Sequence, residues 1–449
     1  MSRILMLCHD QHLDRRVVAQ ASVLIAQGHS VRLLALSFEG ETSEETTPEG
    51  ILLTRIGLRH IIPENRTYAS YTARQHKLNQ CLGWGSRRFP RCAGALQRLF
   101  VAPSRVNWWL YKALLLARYR NSSLHDPLPF RSAFVEHALA YPSDLVQVHD
   151  LPALEAGAEL AAGWSVPLVY DAHELYPEQK AFSGVQRRIC AMAEALQIKK
   201  ADLVFAVNES IGEEMARRYG IAKPLTLLNA MDPPPEFDPD ARYDLLRAKL
   251  GLSPQRRILL FQGGFAPHRN LEALIEAMVY VRDFDIDLVM MGFGAFGDAL
   301  KRKAEKLQLL GRRVHFLQAV PQSELLQHSA SADVGVIPYP HVDLNSYYCT
   351  PNKLFEFIQA GLPILANDSP ELNKIVRDNG FGHSARMRTA KEIALGIDSI
   401  FASEALDTWS GEIKRARKGL AWCVQGEMYA AAMQKLLASR GMKLMRGSV

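Results

Sequence analysis

Cys349-Thr350-Pro351-Asn352-Lys353-Leu354-Phe355-Glu356-Phe357-Ile358-Gln359-Ala360-Gly361-Leu362-Pro363-Ile364 reads as a helix entered from a polar loop and left for a strand. Thr350 suits the N-cap and Pro351 the first helical position, which leaves first-turn amides free to meet an anion. Lys353 adds a full positive charge in that turn, and Glu356, three residues on, shares its face. Leu354, Phe355 and Ile358 hold the helix in a core, Gly361 stops it, and Pro363 to Ala366 continues as a strand. A phosphate needs the amides and the lysine, and a sugar diol needs an acceptor carboxylate about one turn away. The pattern suits a nucleoside diphosphate. The alternative is an i,i+3 ion pair on a solvated helix face.

The same logic recurs upstream. Phe261-Gln262-Gly263-Gly264 is a strand exit whose paired glycines let a backbone approach a bulky ligand, and Arg269 stands where the next helix begins. Arg269 and Lys353 together would clamp a diphosphate, the guanidinium bidentately and the ammonium as a point charge. Met291-Gly292-Phe293-Gly294 is a further glycine-bearing strand exit.

Short apolar runs alternate with helical patterns along the whole chain, the signature of βαβ units and parallel sheets. In the first half these are Ile4–Cys8, Val31–Leu36, Asp144–His149, Pro167–Asp171 and Asp202–Val207; in the second, Ile258–Phe261, Asp287–Met291, Val314–Leu317, Asp333–Ile337 and Ile364–Ala366. A helix is expected over Asn270–Val281. Pro233-Pro234-Pro235 interrupts the grammar, because three prolines continue neither a helix nor a central strand. The expectation is therefore two Rossmann-like doubly wound α/β domains, 1–228 and 229–420, facing each other across a cleft at the carboxyl ends of both sheets. A C-terminal helix and tail, 421–449, could fold back on the first domain.

In the first half Tyr170-Asp171-Ala172-His173-Glu174 leaves a strand straight into polar residues, so His173 should face the ligand. His149 and Asp150 end the neighbouring strand and either support His173 or cap the helix near Pro152. Asp14 is an N-cap candidate before the first helix, with Arg16 beside it; both are also acceptor-side candidates.

At 449 residues, 48% hydrophobic and 22% charged, the chain is globular and too long for one core. Six cysteines stand without CxxC pairs, which suggests neither a disulfide framework nor a zinc site and fits a reducing cytoplasm. The first apolar run, Ile4–Cys8, is too short for a signal-peptide core, and no run reaches the length of a membrane span. Charge is uneven: thirteen Lys/Arg between 59 and 131 face only Glu64 and Asp126, a balance of +11 within a chain of net +6. Trp84, Phe89, Phe100, Trp108, Trp109, Tyr111 and Tyr119 are interleaved there. Such a segment can lie on an anionic membrane surface, or can cover a core as ordinary helices. No nucleic-acid motif accompanies it, so no nucleic-acid partner is expected.

Taken together, the chain resembles retaining glycosyltransferases of the family 4 type with the GT-B fold. The resemblance rests on Asp14-x-Arg16-Val17 with Gly28-His29, Tyr170-Asp171-x-His173-Glu174, Gly263-Gly264 with Arg269, and Pro351-x-Lys353-Leu354-x-Glu356. It implies a nucleotide-sugar donor held by the second domain and a saccharide or lipid-linked acceptor entering from the first. It further implies Glu356 on the ribose hydroxyls, Arg269 on the diphosphate and His173 on the donor sugar. The implied activity is hexosyl transfer in cell-surface polysaccharide or glycolipid synthesis, cytoplasmic or peripheral on the membrane, with no cofactor and no metal. Two departures stand out. Tyr348 occupies the position of the family's first glutamate, leaving Ser346, Tyr347 and Tyr348 as donor-sugar contacts, and Gly264 replaces a common basic residue. Two rival readings remain: an epimerase acting on UDP-sugar with the same scaffold, and a binding protein without catalysis.

Overall fold

The computed structural model describes residues 1–37, 40–58, 66–89, 93–118, 130–180, 182 and 184–446. Arg59, Glu64, Arg91, Tyr119, Arg120 and Asp126 of the basic segment lie outside the described residues. The chain divides into two compact units. The first comprises Met1–Ala206, Met215–Leu225 and Ala430–Val449; the second comprises Val207–Glu214 and Thr226–Tyr429.

In the first unit the strands are β1 (Arg3–Cys8), β2 (Ser30–Ser37), β3 (Ser43–Thr46), β4 (Leu52–Gly57), β5 (Leu145–His149), β6 (Leu168–Ala172), β7 (Leu203–Ala206) and β8 (Leu225–Thr226). Their order is β3-β4-β2-β1-β5-β6-β7-β8. The ladders joining β4, β2, β1, β5, β6 and β7 are parallel, and β3 runs antiparallel to β4. β1, β5 and β6 are buried almost throughout, which is why they read as continuous apolar runs. The helix Arg15–Ala26 starts where the Asp14 carboxylate accepts from the Arg16 amide at 2.7 Å. It buries Val17, Ala21 and Leu24, and ends where Gly28 takes φ +82°, a conformation only glycine adopts without strain.

Because β2 lies on one side of β1 and β5 on the other, the chain reverses direction between β1 and β5. Ligands of doubly wound sheets bind outside the carboxyl ends at such a switch point. Here those ends carry His9 and, in register with Cys8, His149, with Asp171 of β6 next in line.

The second unit holds β9 (Arg257–Gly264), β10 (Ile286–Phe293), β11 (Val314–Gln318), β12 (Val334–Ile337), β13 (Ile364–Asn367) and β14 (Gly382–Ala385), ordered β11-β10-β9-β12-β13-β14, with parallel ladders throughout. Alternate residues of β9 and β10 feed separate cores. Leu259, Phe261, Leu288 and Met290 pack on one face; Ile258, Leu260, Val289 and Met291 pack on the other. Each such fully buried side chain contributes about 1.5–3 kcal/mol of transfer free energy. The switch point here falls between β9 and β12, whose exits carry Gly263-Gly264 and Tyr339.

Some local expectations need correction. The helix after Arg269 spans Leu271–Ala277, shorter than 270–281. Strands β3, β4, β8 and β14 were not anticipated. The N-cap of the helix Asn352–Gln359 is Pro351, extended at ψ 151°, not Thr350. The Thr350 hydroxyl instead accepts from Asn208 Nδ2 at 3.2 Å, so a tertiary contact takes the oxygen that a cap would have used.

Candidate active site

At the β9/β12 switch point a buried cation sits among aromatic rings. Lys353 is 5% exposed; its Nζ donates to the Tyr339 hydroxyl at 2.9 Å and lies 3.7 Å from the centroid of the Phe261 ring. Gly263, at φ +113°, passes so close that a β-carbon there would lie 3.5 Å from Nζ. Burial, with Arg269 adding to it, holds the Lys353 ammonium well below the ordinary lysine range, against the pull of Glu356. Burial also pushes Tyr339 up to about 12, so its hydroxyl stays protonated.

Arg269 donates from Nη1 to the Gly264 carbonyl at 3.0 Å and sits 5.5 Å from the Tyr339 ring centroid. Two cations and one phenol therefore converge on a double-glycine turn, the electrostatic setting of an anion site.

Glu356, 9% exposed, accepts from Gln262 Nε2 at 2.7 Å, and Gln262 Oε1 in turn accepts from Ser329 Oγ at 2.7 Å. Both Lys353 and Glu356 are thus buried with separate partners, so the solvated ion-pair reading does not describe them. Gly292 pairs in register with Gly263, and a β-carbon on it would fall 1.9 Å from the Gly263 carbonyl oxygen. Gly294, at φ +129°, closes on Phe265 in the same way.

Ser346, Tyr347 and Tyr348 belong to the short helix Leu344–Tyr348, capped by Asp343, whose carboxylate accepts from the Ser346 amide at 2.6 Å. The Tyr347 ring meets His341 at 4.9 Å. The Tyr348 carbonyl accepts from Asn208 Nδ2 at 2.7 Å, so Asn208 ties down the segment leading into the Lys353 helix.

The first unit builds a second cluster from its own strand ends. Arg16 and Asp171 form a buried ion pair, 1% and 0% exposed, with Nε to Oδ2 at 2.9 Å and Nη2 on Oδ1. Gln20 adds a hydrogen bond to Asp171 at 2.6 Å. His173 Nε2 lies 3.1 Å from both Asp171 Oδ2 and His149 Nδ1, and the His173 amide donates to Asp150 Oδ1 at 2.9 Å. Asp150 stands at the N-cap position of the helix Leu151–Trp164 without making a cap hydrogen bond. Its φ of +60° is the strained conformation that turns the carboxylate to His173. His149 and Asp150 are thereby brought onto His173, while Asp14 serves as a helix cap.

Of this cluster His173 keeps the most surface, 15% of its side chain. Burial alone would lower its pKa, but Asp150 and Asp171 outweigh it and push it up to about 9, so the imidazole is a charged donor near neutrality. Burial pushes Asp150 itself up to about 8 against the pull of His173, which leaves Asp171 as the firm counter-charge. Burial pulls His149 down and leaves it neutral. Asp171 stays ionised because Arg16 and His173 overcome its burial.

His149, Asp171 and His173 also have ligating atoms close enough to hold a metal ion. Asp171, however, already accepts from Arg16 and Gln20, and a cation would have to share it with a buried guanidinium. The donor set suits a hydrogen-bonded relay better than a metal centre.

Several participants escaped the sequence reading: Tyr339, Gln262, Ser329, Asn208 and His9. His9 follows β1 at its switch point, its ring is 6.1 Å from Tyr176, and its Nδ1 is a buried atom with no hydrogen-bond partner among the described residues. Its polar position directly after an apolar run was the available signal. A hollow of about 770 Å³ at the opposite strand ends of the second unit is lined by Arg247, Arg256 and Asp333. Arg247 is paired there with Asp244 and Asp333, and Arg256 with Asp287.

Comparison with known proteins agrees with this architecture. Sucrose-phosphate synthase from Thermosynechococcus elongatus superposes with a TM-score of 0.68 at 18% identity, covering 98% of this chain and 100% of that one. HepE of Anabaena, solved with UDP and glucose, gives 0.62 at 15% identity over 97% and 100%. In sequence, the chain is 25% identical over 286 residues to a D-inositol 3-phosphate glycosyltransferase of Geodermatophilus obscurus, covering 59% of this chain and 60% of the relative. It is 26% identical over 139 residues to the alpha-monoglucosyldiacylglycerol synthase of Streptococcus pneumoniae, 30% of each. An uncharacterized glycosyltransferase of Methanocaldococcus jannaschii matches at 26% over 58% of this chain and 66% of its own length. These matches thus span two thirds or less of the relatives. The glycosyl transferase 4-like domain matches residues 13–229 and the glycosyl transferases group 1 domain matches 243–417. With those two domains occupying most of its length and its fold shared with such enzymes, the chain belongs to the group 1 glycosyltransferases of GT-B fold.

Proposed function

We propose that the chain moves a hexosyl unit from a nucleotide-sugar donor to a saccharide or lipid-linked acceptor, with retention of anomeric configuration and without a metal. The observation that carries this reading is the buried Lys353 ammonium beside Arg269 at a double-glycine turn, with the Glu356 carboxylate one helical turn further on. The second unit holds the donor: Lys353 and Arg269 take the diphosphate and Glu356 takes the ribose hydroxyls. The residues Ser346 to Tyr348 border the sugar. In the first unit His173, charged and partly exposed, is the donor offered to a sugar hydroxyl.

As the glycosidic carbon–oxygen bond breaks, negative charge grows on the leaving phosphate. Fixed cations stabilise that charge, and removing one such donor costs on the order of 3 kcal/mol. The departing phosphate oxygen can accept the proton of the attacking hydroxyl on the same face, so the step balances without a separate base. The solved relatives bound to UDP and glucose support UDP-sugar as the first donor to try. The names of two relatives, D-inositol 3-phosphate glycosyltransferase and alpha-monoglucosyldiacylglycerol synthase, support a hydroxyl acceptor that is a polyol or a lipid.

The test is release of nucleoside diphosphate from a panel of UDP- and GDP-sugars with and without acceptors, with the product anomer read by NMR. Acceptor-dependent release with an unchanged anomer is the expected result. An isomerised sugar formed without acceptor would point to the epimerase, and binding without release to a non-catalytic protein.

A further inference from the structure

The helices Arg66–Arg88 and Ala93–Arg118 of the first unit pack together as a hairpin, and a polar network runs through its seam. Asn107, 5% exposed, accepts from Arg74 Nε at 2.6 Å and donates to the Tyr71 carbonyl and to Gln75 Oε1, both at 3.2 Å. Gln75 donates onward to Ser104 at 3.0 Å, and the Tyr71 and Tyr111 rings meet at 4.7 Å. Several apolar side chains are turned to solvent. Trp84 is 67% exposed and Leu99 68%, and Phe89, Val106, Trp109 and Leu110 are exposed as well.

A hairpin in water ordinarily does the reverse, burying its apolar face and wetting its polar one. This one adds a one-signed charge. From Arg66 to Arg118 the sequence has ten Lys/Arg and no Asp or Glu. Arg88, Arg98 and Arg105 are exposed beside the apolar side chains. An aqueous protein partner would leave that uniform charge unmatched unless it were strongly acidic. A nucleic acid would match it but offers nothing to Leu99, Val106 and Leu110, since bases stack on aromatic rings rather than aliphatic chains. A bilayer with anionic headgroups answers both demands, with negative charge at the surface and hydrocarbon just beneath it. Among the described residues no helix is long and apolar enough to cross a membrane, so the contact would lie in the interface.

We propose that the outer face of this hairpin docks on an anionic lipid bilayer. The proposal deepens the transfer reading by supplying the surface on which a lipid-linked acceptor lies. Its readout is vesicle binding, so it fails or stands separately from transfer.

The experiment is flotation of the full chain with phosphatidylcholine vesicles, with and without phosphatidylglycerol. Binding is expected only when phosphatidylglycerol is present. Arg98→Ala with Arg105→Ala should weaken it roughly thirtyfold, from two cations at about 1 kcal/mol each. Trp109→Ser with Leu110→Ser should weaken it at least about tenfold through lost apolar burial. All four positions are exposed, so melting temperature and the thermal shift given by UDP should not change. Three results would overturn the proposal. They are no binding to anionic vesicles, undiminished binding by both variants, or binding of a DNA duplex in physiological salt with none to vesicles.

Discussion

The Lys353 ammonium gives a hydrogen bond to the Tyr339 hydroxyl at 2.9 Å, and that phenol belongs to the exit of β12 rather than to the lysine's own helix. A desolvated ammonium whose proton is held this weakly binds an incoming diphosphate with a change of protonation. Its free-state pKa is depressed, and the anion raises it, so binding takes up a proton. UDP affinity should therefore fall as pH rises through the depressed pKa of the free lysine, and titration calorimetry in buffers of different ionisation enthalpy should report proton uptake. In Lys353→Ala the uptake should vanish, with turnover down at least about tenfold. Equal proton uptake by wild type and variant would remove Lys353 from the diphosphate.

The chain Ser329–Gln262–Glu356 holds the carboxylate that is assigned to the ribose. Gln262→Leu leaves the fold its volume but removes the 2.7 Å donor to Glu356. Loss of one buried hydrogen bond to a charged group costs about 1.5–3 kcal/mol. We expect KM for the nucleotide sugar to rise by about tenfold or more while kcat changes little. A mainly structural role would instead lower the melting temperature and leave KM alone, and this contrast decides between them.

Arg16 and Asp171 stabilise the first unit only as a pair. Asp171→Asn leaves a buried guanidinium short of its counter-charge, which costs about 3–5 kcal/mol. Urea unfolding should show that loss for either single substitution. A double variant with Arg16→Met and Asp171→Leu should recover only part of it, because the guanidinium is no longer buried alone but Gln20 and His173 still lose their acceptor.

His173 sets the pH dependence of the same cluster. Its folded pKa of about 9 lies above the roughly 6.5 of an unfolded histidine. The stabilisation is fully present below about pH 6.5 and is lost as pH rises through about 9. Melting temperature should decline across that window in the wild type and decline less in His173→Gln. Parallel curves would show that the imidazolium is not what the two carboxylates stabilise.

Much of this was legible in the sequence, for definite physical reasons. Parallel strands buried on both faces must be apolar throughout, so β1, β5, β9 and β10 announced themselves, and cations beside glycine-bearing strand exits marked Arg269 and Lys353. What escaped lacks such a signal. β3 reads Ser-Glu-Glu-Thr and is exposed along its length, so no alternation betrays it. Tyr339 and Gln262 look like ordinary residues near apolar runs, and acquire their roles only because β9 and β12 become neighbours at the switch point. Thr350 follows every local rule for a cap, and loses its oxygen to Asn208, 142 residues away in sequence.

The glycine pair across β9 and β10 offers the sharpest steric test. A β-carbon on Gly292 would lie 1.9 Å from the Gly263 carbonyl oxygen, a backbone atom that cannot rotate aside. Gly292→Ala must therefore push apart the strand exits that bring Gly263 against Lys353. At Gly297 the nearest atom to a new β-carbon is a ring carbon of Phe265 at 3.2 Å, which a small ring shift accommodates. Gly297→Ala should thus remain close to wild type in stability and in the thermal shift given by UDP. Gly292→Ala should lose most of that shift even where circular dichroism shows the helices intact. If both alanine variants answer UDP equally, the close approach of the two turns is not what shapes the donor site.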